Sequence, residues 1–378
     1  MTDLVREEVI RESQTIVVKV GTNVLTDDKG TLDQARICRI VDQLYRARQT
    51  GRKVLLVSSG AVGAGVGRLG IEKRPIDLRQ LQACAAVGQS VMMRAYEVAF
   101  GRHGITTAQI LLTAGDFDDR TRYLNTRNTI FTLLEWGVVP IINENDTVSV
   151  DEIRFGDNDQ LAAMVTNLIQ APLLVLLSIV DGLFTADPKV DPAAKLLTTV
   201  PQIDEKIRAM AGDSQSLLGT GGMRTKIHAA HMVTSAGESV IMANGSSPQI
   251  LDRLFQAEPV GTLFLPRRDS IAAWKRWVGY TARAKGTLVV DAGARTAIER
   301  NGKSLLPIGV IRITGKFDKG DVIQLCDPDE QEFARGLINY SSADTTKLAG
   351  LRTDQLWEVL GVVPYAELVH RDNLVVLV

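Results

Sequence analysis

Two hydrophobic periodicities alternate along the first 265 residues. Runs that are apolar at nearly every position, "TIVVKVG" (15–21), "RKVLLVS" (52–58), "ITTAQILL" (105–112), "VVPIIN" (138–143), "LLVLLS" (173–178) and "SVIMANG" (239–245), mostly stop at Gly, Ser or Asn. Between them the apolar residues recur every three to four positions. In "LDQARICRIVDQLYRARQTG" (32–51), Ile37, Ile40, Val41 and Leu44 share one helical face. Strands without in-out alternation bury both faces, so the pattern predicts an α/β domain, a mainly parallel open sheet sandwiched by helices. Ligands of such sheets bind at the carboxyl ends of the strands.

Polar residues concentrate at those ends. Lys19-Val20-Gly21-Thr22 follows the first run, Ser58-Ser59-Gly60-Ala61 the second, Asn143-Glu144-Asn145-Asp146 the fourth, and Ser178 closes the fifth. One crevice would collect them. "TVSVDEIRFGDN" (147–158) alternates polar and apolar residues and predicts a hairpin or lid. "GTGGMRTK" (219–226) precedes another helical run. Its glycines let main-chain N–H groups approach a ligand, and the helix start and Lys226 both favour negative charge. It lacks the Walker spacing, so a phosphate loop and an ordinary glycine-rich turn both fit it.

Beyond residue 265 the texture changes. "PRRDSIAAWKRWVGYTARAKG" (266–286) is basic and reads as a connector, and short runs punctuated by Gly and Asp then predict a small, barrel-like β-rich domain. The expected division is 12–265, a connector at 266–284, and 285–365.

Composition narrows the partners. A 378-residue chain suits two or three domains, and a net charge of −1 gives no global attraction for nucleic acid or a membrane. Cys38, Cys84 and Cys326 have no C-x-x-C spacing, which argues against a disulfide framework or a thiolate metal site. The charged opening "MTDLVREEVIRESQT" is no signal peptide and no apolar run is long enough to span a bilayer, so a cytoplasmic protein is expected.

For a nucleoside triphosphate in the crevice, Lys19 and Lys226 would neutralise charge on a transferring phosphoryl group, and Asp159 would orient both. Lys19 also fits a strand-end lysine reaching for water. Asp146 suits an ammonium group, while Ser59, glycine amides and Asn158 suit a carboxylate, together describing a small amino acid. No histidine lies in these loops, which fits a carboxylate acceptor, already a nucleophile near neutral pH. His228 and His231 stand at i, i+3 without an obvious third ligand, so no metal site is expected there. Trp274 and Trp277 among Arg267, Arg268, Lys275 and Arg276 fit a packed helical connector better than an RNA contact.

"VVKVGTNVLT", "SSGAVGAG", "AAVGQS", "PIINENDTVS", "RFGDNDQLAA", "DGLFTADP", "AGDSQSLLGTGGMRTK" and "GTLF" resemble, in order and spacing, the glutamate 5-kinases of the amino acid kinase family, and the C-terminal segment is similar to a PUA domain. The resemblance runs from about residue 12 to 365 and implies MgATP-dependent phosphorylation of the γ-carboxylate of L-glutamate, the first step of proline synthesis. It implies Lys19 and Lys226 on the phosphoryl group, Asp159 organising them, and Ser59, Asp146 and Asn158 on glutamate. It implies a nucleotide site of Lys19, Ser178, Ile179 and the loop Thr220, Gly221, Gly222, Met223, Arg224, Thr225 and Lys226, with Mg²⁺ held chiefly by ATP oxygens and water. It further implies inhibition by proline, a homo-oligomer (dimer or tetramer), and hand-off of the labile product to glutamate-5-semialdehyde dehydrogenase.

Ile179 stands where that family usually has Asp, so a side-chain acceptor for the nucleotide is lost and a weakened ATP KM is expected. Aspartate and N-acetylglutamate kinases are the nearest alternatives, and the PUA-like segment disfavours them. That segment also raises an RNA-binding reading. Residues 285–363 carry about ten basic and about eleven acidic residues, no footprint for nucleic acid, so RNA is not expected.

Overall fold

The computed structural model describes residues 4–27, 31–148, 158–188, 190–210, 222–266, 278–279, 282–361 and 365–377. The chain divides into two compact units, residues 1–270 and 271–378.

The first unit is built on an eight-stranded sheet. Its strands are β1 Thr15–Val20, β2 Lys53–Ser58, β3 Thr107–Leu112, β4 Val139–Glu144, β5 Leu173–Ser178, β6 Thr199–Val200, β7 Ser239–Asn244 and β8 Thr262–Phe264, in the order β3-β4-β2-β1-β5-β7-β8-β6. Every pairing is parallel except β7 with β8. All six expected runs are strands, and β1 is buried from Ile16 to Val20, as a strand covered on both faces must be.

The helices are α1 Leu4–Glu12, α2 Thr22–Leu25, α3 Gln34–Gln49, α4 Ala61–Leu69, α5 Leu78–Gly101, α6 Ala114–Asp118, α7 Arg120–Glu135, α8 Asn158–Ile169, α9 Glu205–Met210, α10 Met223–Ser235 and α11 Ile250–Phe255. α3 starts where the Asp33 carboxylate accepts from the Ala35 and Arg36 amides, and it buries Ile37, Ile40, Val41 and Leu44 as its spacing predicts. Two polar ties were not legible. Gln43 Oε1 accepts from the Leu251 amide at 2.9 Å, and the buried Arg6 donates to the carbonyls of Thr198 and Val260 at 2.8 Å each, fastening α1 to the β6–β8 edge.

Register brings the strand ends level. Val20 pairs with Ser58 and with Leu177, Leu112 with Glu144, and Ser178 with Asn244. The order turns at β1, with β2 on one side and β5 on the other, so the crevice of such a sheet opens above the ends of β1, β2 and β5.

The second unit has a five-stranded mixed sheet of β9 Gly286–Val290, β10 Val310–Gly315, β11 Val322–Cys326, β12 Glu332–Leu337 and β13 Leu374–Val376, in the order β10-β9-β11-β12-β13. It is β-rich as expected, with Leu288, Val290, Ile323, Leu325 and Phe333 in its core. Among the described residues no helix is long and apolar enough to cross a membrane.

Candidate active site

Three charged side chains from three elements meet at the strand ends. Lys19 is the penultimate residue of β1, Asp159 lies in the first turn of α8, and Lys226 lies in the first turn of α10. Lys19 Nζ is 2.5 Å from Asp159 Oδ1 and Lys226 Nζ is 2.8 Å from Asp159 Oδ2. Asp159 is fully buried, and the lysines are 3% and 7% exposed. A strand-end lysine reaching for water is therefore not what Lys19 is.

Burial works to raise the Asp159 pKa, but the charges and hydrogen bonds of the two ammonium groups outweigh it and hold the carboxyl well below the usual carboxylate range. An acid in the first turn of a helix also meets the positive end of the helix dipole. The arrangement fixes two cations on the two oxygens of one carboxylate, which suits facing a group with several anionic oxygens.

Beside it lies a neutral network. The main-chain carbonyl of Ser58 can only accept a hydrogen bond, and Asn158 Nδ2 sits 3.0 Å from it, 2.9 Å from Ser59 Oγ and 2.8 Å from Asn143 Oδ1. Asn143 Nδ2 in turn donates to Gln89 Oε1 at 2.9 Å. Asn158 Nδ2 thus has three acceptors inside the protein, whereas the sequence offered that amide to a carboxylate. Ser59 Oγ, accepting from Asn158, keeps its own hydrogen for a ligand.

The turn that carries Ser59 is set by glycine. Gly60 has φ +107 and opens α4, a conformation that L side chains rarely adopt. Behind it α4 and α5 touch backbone to backbone. A Cβ on Gly88 would lie 1.7 Å from the Ala61 carbonyl oxygen, and one on Gly65 would lie 1.8 Å from that of Cys84. Ser58 Oγ meets the buried Tyr96 hydroxyl at 2.9 Å, and burial pushes the Tyr96 pKa up despite that bond.

The remaining expected residues spread along the same rim. Asp146 is half-buried two residues beyond β4. The Ser178 carbonyl accepts from the Gly245 amide at 2.7 Å, and Ile179 beyond it is 51% exposed. Gly222 caps α10, with Met223, Arg224 and Thr225 in its first turn. Thr225 Oγ1 donates to the Gly222 carbonyl at 2.9 Å. Thr220 and Gly221, the core of the expected hairpin or lid (149–157), and Trp274 and Trp277 lie outside the described residues. His231 Nε2 is 2.8 Å from Arg208 Nη2. Among the described residues no cluster of three or more His, Cys, Asp or Glu could hold a metal.

Gln89 lies in the "AAVGQS" stretch, where the sequence assigned it no role; its other signal is a polar residue on the apolar face formed by Cys84, Ala85, Gly88, Met92 and Tyr96 of α5.

A doubly covered parallel sheet with a lysine–carboxylate–lysine cluster at its carboxyl rim describes a class of phosphoryl-transfer enzyme, and the family comparison agrees. The amino acid kinase family model matches residues 14–244 and the PUA domain model residues 286–360. The chain belongs to the amino acid kinase family. Along its length it is similar to the glutamate 5-kinase of Geobacter metallireducens, 49% identical over 98% of this chain and 100% of that one, and to the glutamate 5-kinase of Moorella thermoacetica, 47% identical over 97% of each. Among solved structures, the carbamate kinase from Giardia lamblia bound to AMP-PNP aligns at a TM-score of 0.49 and 18% identity, over 68% of this chain and 99% of that one.

Proposed function

We propose that this chain transfers the γ-phosphoryl group of ATP to the γ-carboxylate of L-glutamate, giving L-glutamyl 5-phosphate and ADP. The observation that carries the reading is the Asp159 carboxylate holding Lys19 and Lys226 together at the strand ends, in a chain 49% identical to a glutamate 5-kinase. A carboxylate oxygen of glutamate attacks the γ-phosphorus, and the bond to the β–γ bridging oxygen breaks. No proton moves, because the acceptor is ionised near neutral pH. Lys19 and Lys226 face the negative charge on the phosphoryl oxygens and Asp159 keeps them in place.

Ser59 donates to a carboxylate of glutamate, and Asp146 and Asn158 receive its ammonium group. Ser178, Ile179 and residues 220–226, from Thr220 and Gly221 to Lys226, hold the nucleotide. Both oxygens of Asp159 are occupied by lysines, which suits a Mg²⁺ ion carried on ATP oxygens and water. Bound with ATP, that ion would withdraw charge from the phosphates.

The same reading assigns catalysis to 12–265, a connector to 266–284 and the PUA-like domain to 285–365. It places the enzyme at the entry to proline synthesis in the cytoplasm, as a homo-oligomer inhibited by proline. It includes delivery of the labile acyl phosphate to glutamate-5-semialdehyde dehydrogenase.

The test is ATP consumption by the purified protein with Mg²⁺ and hydroxylamine, comparing L-glutamate, L-aspartate and N-acetyl-L-glutamate. Hydroxamate from L-glutamate alone is expected. Hydroxamate from another acid instead would overturn the acceptor and leave the phosphoryl-transfer class standing.

A further inference from the structure

The amide chain Asn158–Asn143–Gln89 has a direction, and the Ser58 carbonyl sets it. That oxygen can only accept, so the nitrogen of Asn158 faces it and Asn158 Nδ2 also points at Asn143 Oδ1. Asn143 must then present its nitrogen to Gln89, and the Gln89 oxygen receives it. Asn143 is 2% exposed and Gln89 9% exposed, so water competes poorly for either. At the far end Gln89 Nε2 is buried with no partner among the described residues. A buried donor left unmet carries a desolvation cost, and such groups call for an explanation beyond packing.

We infer that Gln89 is a positioning residue for the acceptor: through Asn143 it locks the Asn158 amide so that Oδ1, which has no protein partner among the described residues, faces the ligand as a hydrogen-bond acceptor. An acceptor at that point reads an N–H donor and repels a second carboxylate. The site thereby selects an acid bearing a free α-ammonium group over the same dicarboxylate without it. Gln89 itself touches neither ATP nor the reacting carboxylate. The inference rests on the proposed glutamate acceptor and adds the device that recognises its amine.

The test uses the full chain and compares wild type, Gln89→Met, Asn158→Ala and the double variant, with melting temperatures to establish folding. Methionine keeps the length of glutamine and removes both hydrogen-bonding atoms. Gln89→Met is expected to raise the KM for glutamate about tenfold, the equivalent of one or two hydrogen bonds, and to leave the KM for ATP within about twofold. The inhibition constant of glutarate, which lacks the ammonium group, should also stay within about twofold of wild type. In the Asn158→Ala background the Gln89 change should add almost nothing, because a residue that acts through another has no separate effect.

An unchanged glutamate KM in Gln89→Met would overturn the inference. So would equal losses for glutamate, ATP and glutarate, or effects that multiply in the double variant. Wild-type protein that forms no hydroxamate from glutamate would instead overturn the proposed function, an outcome visible before any variant is made.

Discussion

Asn158 and Asp159 are neighbours in the first turn of α8, yet they serve two unlike networks. Asp159 is fully buried and holds two ammonium groups, whereas Asn158 is half-buried and addresses a carbonyl, a hydroxyl and another amide. The difference teaches where each kind of interaction is useful. Charge with charge is strong and has little sense of direction, which suits a group whose anionic oxygens gather negative charge. Amides are weak but have a donor end and an acceptor end, which suits choosing between ligands of similar size.

Removing the charge from the first network should have the largest effect. Asp159→Asn leaves two buried lysines without their shared carboxylate, and breaking a buried ion pair from one side costs about 3–5 kcal/mol. Urea unfolding should show that loss at neutral pH, and kcat should fall about a thousandfold as both lysines lose their positions. The sign with pH follows from the lowered Asp159 pKa. Asp159 contributes stability that is complete above the unfolded carboxylate value of about 4 and is lost as pH falls toward the lower folded value. The gap between wild type and Asp159→Asn should therefore narrow below about pH 4. A gap that widens there would contradict the charged triad.

Lys226→Ala and Asn158→Ala then test the division itself. The first should lower kcat about a hundredfold to a thousandfold while the glutamate KM moves little. The second should raise the glutamate KM about tenfold with a smaller loss of kcat. Steady-state kinetics on both substrates separates the two patterns, and identical patterns would merge the networks into one.

A third change reaches the acceptor side without touching its polar groups. In Gly88→Ala the new Cβ meets the Ala61 carbonyl oxygen at 1.7 Å and the Gly65 amide nitrogen at 2.4 Å, both backbone atoms. The start of α4 must shift, at a cost of about 1–3 kcal/mol, and Ser59 shifts with it. The expected result is a lower melting temperature with a raised glutamate KM and an ATP KM near wild type. An equal rise in both KM values would mean that α4 does not serve the acceptor alone.

Much of this architecture was legible because burial on both faces leaves a plain mark. Runs such as "LLVLLS" cannot be mistaken for half-exposed strands, and their polar ends identify the rim. The meeting of Lys19, Asp159 and Lys226 was expected as a chemical requirement and from the family resemblance, not from spacing, since Asp159 and Lys226 are 67 positions apart and no local spacing encodes their contact. The direction of the Asn158 amide was not legible for a different reason. The group that sets it is the Ser58 main-chain carbonyl, which has no letter of its own in a sequence. In the second unit the strand order places β9 between β10 and β11, a long-range choice that short runs broken by Gly and Asp do not reveal.

The smallest expected effect lies at Ile179, which the proposed function assigns to the nucleotide. Ile179 is 51% exposed, so Ile179→Asp should change stability by no more than about 0.5 kcal/mol. The isoleucine side chain offers no acceptor, and the adjacent Ser178 carbonyl already accepts from the Gly245 amide. Asp181, two residues on, has its Oδ1 2.9 Å from Asn244 Nδ2. A carboxylate at 179 supplies a new acceptor for the nucleotide, but it also sets a second negative charge near Asp181 and the phosphates, which offsets part of the gain. The ATP KM is therefore expected to fall only about twofold to fivefold, within the range of one exposed hydrogen bond, with the glutamate KM unchanged. An ATP KM that does not improve would mean that main-chain groups make the contact alone. The rim would then tolerate isoleucine because its side chain was never part of the site, in contrast to Asp159, whose every oxygen is engaged.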